Sequence, residues 1–130
     1  MLSVESLQAH YGASQALFGI NLQVNAGEVV TLMGRNGMGK TTSINCIMGI
    51  IPTSTGQITW EDQVITNRPS YYIAQAGIGL VPEGRQIFPN LSVLENLIVA
   101  ARAGPSDSDP WDSTRVFQMF PALAARRHGL

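Results

Sequence analysis

The sequence predicts an α/β fold that combines a parallel core, an antiparallel β side layer and the start of a helical subdomain. Three observations predict it. An apolar, β-prone segment at 28–33 leads into a glycine-rich loop and then into a segment with helical apolar spacing. Upstream of that loop, apolar and polar residues alternate in two segments, which is typical of half-exposed strands. Further on, a serine followed three residues later by a glutamate indicates the start of another helix.

Composition narrows the class of protein. The 130 residues, of which 45% are hydrophobic, suit one modest globular domain. A net charge of −1 provides no basic field for nucleic acid, so we expect no nucleic-acid partner. The single cysteine, Cys46, excludes an internal disulfide, and we interpret it as a small buried side chain rather than a reactive thiol. No apolar run approaches the ~20 residues that span a bilayer, and no signal peptide opens the chain.

The first two strands are predicted at 2–9 and 16–24, separated by a turn at 10–14. In the second, Phe18, Ile20, Leu22 and Val24 are expected on one face. A turn at 25–27 then leads into the buried strand at 28–33. The short spacing of these strands predicts an antiparallel layer beside the glycine-rich loop.

The glycine-rich loop has the P-loop pattern, in which Gly34 and four further residues precede Gly39-Lys40-Thr41. Glycines let such a loop curl with its N–H groups inward, and the following helix adds free N–H groups and a positive dipole end. Lys40 is expected to reach the β- and γ-phosphates, and the Thr41 hydroxyl to ligate Mg²⁺. The fold class is therefore α/β with a P-loop NTPase core that binds ATP and Mg²⁺. The predicted phosphate-binding residues are Gly34, Arg35, Asn36, Gly37, Met38, Gly39, Lys40, Thr41 and Thr42.

After the loop, the apolar residues Ile44, Ile47, Met48 and Ile51 predict one buried helix face. A hairpin is expected from 57–60 and 64–65, followed by a short helix that begins at Pro69 and ends near residue 77. A short buried strand is predicted at 78–81. We expect a nucleotide-binding core at 1–83 and the start of a helical subdomain at 84–130.

In the helical part, Ser92 and Glu95 form a capping box, which gives Glu95 a structural role. Leu94, Leu97, Ile98 and Ala101 would form the buried face of this helix. A polar connector at 104–110 precedes two short helices at 111–120 and 121–127, with Val116, Phe117 and Phe120 packing together.

Taken as a set, these motifs resemble an ATP-binding-cassette (ABC) subunit along the whole chain. The similar features are Tyr11-Gly12, the P-loop spacing, the run 52–58 and the run 88–97. The run 79–88 more narrowly resembles the ATP-binding subunits of branched-chain amino-acid importers. The resemblance implies a motor subunit, peripheral on the cytoplasmic face of the cell membrane, that couples ATP binding and hydrolysis to transport.

The resemblance also implies residue roles. Tyr11 matches the aromatic residue that stacks on adenine, although an edge-strand tyrosine would look the same in isolation. Glu83 stands where most of the family has a glutamine that touches Mg²⁺ and the attacking water; a simple turn carboxylate after Pro82 is the alternative. The region 85–94, from Arg85 to Leu94, would meet the membrane permease subunits, and a second ATP-binding subunit, identical or different, would complete the motor.

The family's glycine-rich signature and the second magnesium-holding carboxylate have no counterpart in the sequence, so we expect the N-terminal part of a longer protein. Such a part would bind nucleotide without turning it over. Two alternatives stay open: a small P-loop kinase that uses Glu83 as its acid, and a non-catalytic nucleotide-binding module. The cargo follows from resemblance only, because other subunits choose it.

Overall fold

The computed structural model of the protein describes residues 1–84, 86–101 and 111–130. They form two compact units, Met1–Leu80 and Val81–Leu130. The first unit holds an antiparallel sheet and two helices, and the second unit holds three short helices. None of the helices in these described ranges combines the length and apolar character that crossing a membrane requires.

The sheet has the strand order β2-β1-β3-β4, with every neighbouring pair antiparallel. Its strands are β1 (Leu2–Tyr11), β2 (Ser14–Val24), β3 (Thr55–Trp60) and β4 (Gln63–Val64). Alternating apolar side chains from one face pack against the two helices of this unit. The buried core consists of Val4, Leu7, Ala9, Leu17, Cys46, Ile47, Met48, Ile58, Ile65 and Ile73. The predicted antiparallel layer is therefore confirmed.

A bulge at Gly19 sets which side chains of β2 face the core. The pairing passes from Leu7 opposite Ile20 to Gln8 opposite Phe18, which leaves Gly19 as an extra residue with a φ of 88°. Because side chains alternate along a strand, one extra residue exchanges the two faces beyond it. Leu17 is consequently buried and Phe18 is 74% exposed. The prediction that Phe18 shares the inner face was wrong for this reason.

Helix α1 (Lys40–Ile47) confirms the predicted buried face in part, because Ile47 and Met48 are buried and Ile51 packs against the core. Thr42, Ser43, Cys46 and Ile47 are buried, whereas Ile44 is 38% exposed. The prediction for Ile44 was wrong, because the buried face of the helix runs through Thr42, Ser43 and Cys46 instead. Burial raises the pKa of the Cys46 thiol, as expected for a cysteine that fills core space.

The predicted hairpin is confirmed in β3 and β4. Its two turn residues, Glu61 and Asp62, both have positive φ angles, 45° and 64°, which suits a two-residue hairpin turn. The predicted short helix is α2 (Ser70–Gln75), and it starts directly after Pro69. The Trp60 indole N–H donates to the Ala76 carbonyl at 2.9 Å and ties the hairpin to the end of α2.

The two strands predicted at 28–33 and 78–81 are not formed. Within the first segment Val29 is 94% exposed and Met33 is 83% exposed; in the second, Val81 is 94% exposed. A parallel strand buried on both faces needs a neighbour on each edge. The described part of the chain offers neither segment such a neighbour, since its one sheet is wholly antiparallel.

The second unit contains α3 (Val93–Ala100), α4 (Ser113–Met119) and α5 (Pro121–Ala124). The capping box of α3 is confirmed: the Ser92 backbone N–H donates to a Glu95 carboxylate oxygen at 2.7 Å, and the Glu95 N–H donates to the Ser92 hydroxyl at 3.3 Å. The predicted buried face of α3 was wrong, because no residue of the helix is buried and Ile98 is 59% exposed. Phe120 is also exposed, contrary to prediction. The connector predicted at 104–110 lies outside the described residues.

Candidate functional site

The P-loop stands between the unpaired segment 28–33 and the start of α1. Gly37 and Gly39 both have a φ of 82°, a conformation that favours glycine. A backbone hydrogen bond from Met38 to the Arg35 carbonyl, 3.3 Å long, closes a turn inside the loop. The residues 34–38 are exposed, so their backbone is accessible to a ligand.

Gly39 also allows the loop to approach the sheet closely. A Cβ atom added at Gly39 would stand 2.6 Å from Cδ2 of Leu17 and 3.1 Å from the Ala16 carbonyl oxygen. Both contacts belong to β2. The end of the loop and the start of α1 are therefore packed directly on the second strand, which the sequence motif alone did not indicate.

The Lys40 side chain folds back over the loop that precedes it. Its Nζ donates to the Gly34 carbonyl at 2.6 Å and to the Arg35 carbonyl at 2.8 Å. The ammonium group thus stands at the mouth of the loop, on carbonyl acceptors that carry only partial charge. An anionic oxygen is a stronger acceptor for an ammonium than a neutral carbonyl is.

The start of α1 is a second source of donors. No side chain caps this helix, and its N-cap residue is the left-handed Gly39. The Gly39 carbonyl accepts from the Ser43 N–H at 2.8 Å and from the Ser43 hydroxyl at 2.9 Å, which fixes the first turn. The backbone N–H groups of that turn, together with the positive end of the helix dipole, are suited to an anion.

Tyr11 lies near this helix although it is far away in sequence. It is the last residue of β1, and its hydroxyl is 3.4 Å from the Thr42 hydroxyl oxygen in the first turn of α1. The Tyr11 side chain is 53% exposed, whereas Thr42 is buried. The structure therefore brings together two of the residues that the sequence assigned to different parts of one ligand.

The two predicted metal ligands belong to different compact units. The exposed Thr41 lies in the first turn of α1, and the exposed Glu83 lies in the second unit, in a turn with Gly84. Among the residues described, no three His, Cys, Asp or Glu side chains are grouped as metal ligands. The role of Glu83 stays a prediction.

Arg85, at the start of the predicted permease-contacting region, lies outside the described residues. In the remainder of that region Ile87 and Phe88 are exposed. Asn96 of α3 shapes this segment: its side-chain oxygen accepts from the Phe88 N–H at 3.0 Å, and its amide donates to the Phe88 and Leu91 carbonyls at 3.1 Å each. Nothing in the sequence marks Asn96 beyond its being an amide in the first turns of a predicted helix.

Comparison with known proteins indicates the same family that the sequence motifs resemble. A family profile described as ABC transporter matches residues 17–128. The high-affinity branched-chain amino acid transport ATP-binding protein BraG of Pseudomonas aeruginosa is 36% identical over 97% of this chain and 54% of its own length. The lipopolysaccharide export system ATP-binding protein LptB of Escherichia coli is 38% identical over 75% of this chain and 40% of its own length. A solved structure of an ATP-binding subunit of an ABC transporter superposes with a TM-score of 0.80 at 29% identity, over 98% of this chain and 53% of that one. The chain thus spans about half the length of these relatives.

Proposed function

The chain belongs to the ABC transporter family, and on that premise we propose that it binds MgATP through its P-loop as the nucleotide-binding part of a transporter's ATP-binding subunit. The observation that carries the proposal is the position of the Lys40 ammonium at the mouth of a glycine loop that leads into an uncapped helix. In this proposal residues 1–83 form the nucleotide-binding core and residues 84–130 begin the helical subdomain.

The donor set favours a polyphosphate. The Lys40 ammonium is held by two carbonyl oxygens, and the phosphate oxygens of ATP replace these with charged acceptors. The first-turn N–H groups of α1 supply further donors without a competing side-chain cap. Tyr11 supplies an exposed aromatic face near the same helix, suited to stacking on adenine.

A magnesium ion fits this arrangement only together with the nucleotide. The exposed Thr41 hydroxyl is one oxygen ligand, and Mg²⁺ commonly completes its shell with phosphate oxygens and water. When bound, the ion would neutralise phosphate charge. The protein's own contribution is to hold the phosphates with Lys40 and the loop N–H groups, and to orient them with α1. We include Glu83 as a water-mediated ligand in the same proposal.

The transported substrate is proposed to be a branched-chain amino acid. BraG aligns with 97% of this chain, whereas LptB, whose name refers to lipopolysaccharide export, aligns with 75%. In the proposal the region 85–94 contacts the permease subunits, a second ATP-binding subunit completes the motor, and the assembly lies on the cytoplasmic face of the membrane. Exposed Ile87 and Phe88 support a contact of this kind.

The test of nucleotide binding is titration calorimetry with MgATP on the wild type, Lys40→Ala and Arg126→Ala. Losing a charged hydrogen bond costs about 1.5–3 kcal/mol, so Lys40→Ala should bind about 10- to 100-fold more weakly. Arg126→Ala removes an exposed cation from the second unit and should bind as the wild type does. Equal affinities for the wild type and Lys40→Ala would contradict the proposal.

Lysine labelling provides a second readout, because Lys40 is the only lysine in the chain. MgATP should protect Lys40 from an amine-reactive reagent while the N-terminal amine stays reactive as an internal control. Phosphate release and transfer to small acceptors, measured on the same samples, distinguish a binding part from a self-sufficient kinase. We expect neither activity above the Lys40→Ala level.

A further inference from the structure

The contact between Tyr11 and Thr42 joins two parts of the site that a P-loop motif does not connect. Tyr11 ends β1, and Thr42 belongs to the first turn of α1, 31 residues further on. The two hydroxyl oxygens are 3.4 Å apart. This is the hydrogen bond that the Tyr11 hydroxyl makes, and it links the strand end to the helix that follows the P-loop.

Thr42 is a suitable anchor because it cannot move far. Its side chain is 8% exposed, and the neighbouring Ser43, Cys46 and Ile47 are buried against the sheet. Tyr11, in contrast, is 53% exposed and is followed by Gly12 with a φ of 57°. The buried Thr42 hydroxyl therefore gives the half-exposed Tyr11 ring a hydrogen-bond partner with a fixed position.

The hydroxyl of Tyr11 therefore needs an explanation of its own. Stacking on a nucleobase uses only the ring, so phenylalanine would serve equally well if stacking were the whole role. Fixing a side chain before binding reduces the conformational entropy lost on binding and so raises affinity.

We propose that Thr42 is a positioning residue, whose hydroxyl holds the Tyr11 ring ready to receive the base of the nucleotide. The inference rests on the proposed function, since it needs a nucleotide in the P-loop. It gives Thr42 a role in binding the base, because Thr42 orients Tyr11, in addition to any contact of the loop with phosphate. The consequence is that removing the Tyr11 hydroxyl weakens the binding of ATP and leaves that of inorganic triphosphate unchanged. Removing the Thr42 hydroxyl should weaken the binding of ATP more than that of triphosphate, because Thr42 also belongs to the predicted phosphate-binding residues.

The experiment is calorimetric titration of the full chain with MgATP and, separately, with magnesium triphosphate. The variants are Tyr11→Phe, Thr42→Val, the combination of both, and Thr42→Ser. Tyr71→Phe is the matched control, because Tyr71 is exposed on α2 in the same unit. Each single variant should weaken ATP binding about two- to tenfold, the range expected for one neutral hydrogen bond. The combination should be no weaker than the weaker single variant, and Thr42→Ser should bind ATP as the wild type does.

Ring motion in the ligand-free protein is the second measurement. With ¹³C-labelled tyrosine, NMR order parameters should fall for the Tyr11 ring in Thr42→Val while those of Tyr71 stay constant. Tyr11→Phe changes an exposed residue, so this variant should fold even where Thr42→Val does not.

Three results would overturn the inference. The first is that Tyr11→Phe binds ATP with wild-type affinity. The second is that Thr42→Val weakens the binding of triphosphate as much as the binding of ATP. The third is that the two single effects multiply in the combined variant, which would show that the hydroxyls act independently. If any of these occurs while Lys40→Ala still binds ATP more weakly than the wild type does, only the positioning role fails. If the wild type binds no nucleotide, the proposed function fails and the positioning role fails with it.

Discussion

Gly37 and Gly39 provide a matched pair for testing how the P-loop is attached to the sheet. Both have a φ of 82°, so an alanine at either position is forced into the left-handed region. That strain costs about 1–2 kcal/mol per residue. The two sites differ in their surroundings: a Cβ atom at Gly37 would meet nothing within 4 Å, whereas one at Gly39 would stand 2.6 Å from Cδ2 of Leu17.

We expect Gly37→Ala to lower the free energy of unfolding by the strain alone. Gly39→Ala adds overpacking, which typically costs about 1–3 kcal/mol, so its total should be about 2–5 kcal/mol. In a Leu17→Ala background the excess cost of Gly39→Ala should largely disappear, because Leu17 supplies the closest contact.

Urea unfolding measures these costs. Trp60 belongs to the first unit and Trp111 to the second, so fluorescence in a Trp111→Phe background reports on the unit that contains the loop. MgATP titration on the same variants should show a larger loss for Gly39→Ala, since a displaced α1 moves the donors. Equal unfolding free energies for the two alanine variants would refute the reasoning that β2 anchors the loop.

Three further predictions follow from exposed features. Tyr11→Ala should weaken the binding of ATP and of GTP similarly, because stacking tolerates either base, and should leave triphosphate binding unchanged. An equal loss of affinity for triphosphate would contradict a stacking role. Hydrogen bonds from the Ser92 side chain and backbone lower the pKa of the Glu95 carboxyl. A depressed folded-state pKa stabilises the fold at higher pH, and this stabilisation is lost as the pH falls through that pKa, so helicity should drop on acidification in the wild type and depend less on pH in Glu95→Gln. The chain should self-associate through the exposed, strand-prone segment 28–33, because unpaired backbone beside apolar side chains is a template for pairing with another copy. In sedimentation experiments Val29→Lys should therefore reduce self-association more than Val99→Lys, since the exposed Val99 lies on a helix.

The sequence predicted best what depends on local patterns. The alternation in β1, the hairpin of β3 and β4, and the Ser92–Glu95 capping box all involve residues that are close together in the chain. Each is fixed by side chains a few positions apart, so its signal survives without knowledge of the rest of the fold. The P-loop motif is local in the same way, because its glycines and its lysine lie between Gly34 and Lys40, and its role in binding phosphate stays a prediction.

The errors arose where a distant contact decides the outcome. Phe18 and Leu17 exchange faces because Gly19 is an extra residue in the pairing with β1. The presence of a glycine in a strand does not by itself indicate whether a bulge will form there. Ile44 and Ile98 fit helical apolar patterns, but how much of a short helix is buried depends on which neighbours cover it. The segment 28–33 has the composition of a central strand and lacks a neighbour among the described residues, so composition alone could not form it.

The candidate site depends both on local sequence patterns and on contacts between distant segments. The motif therefore predicted where the site lies in the sequence but not its geometry. The sequence predicted that Lys40 belongs to the loop, and the structure adds that its ammonium contacts the carbonyls of Gly34 and Arg35, at most six residues away. The contacts of Gly39 with β2 and of Thr42 with Tyr11 join segments more than 20 residues apart. Because both contacts involve the hairpin of β1 and β2, this hairpin supports both the predicted base-binding residue and the predicted phosphate-binding residues. Substitutions that loosen the hairpin should therefore affect nucleotide binding even where they touch no residue of the P-loop.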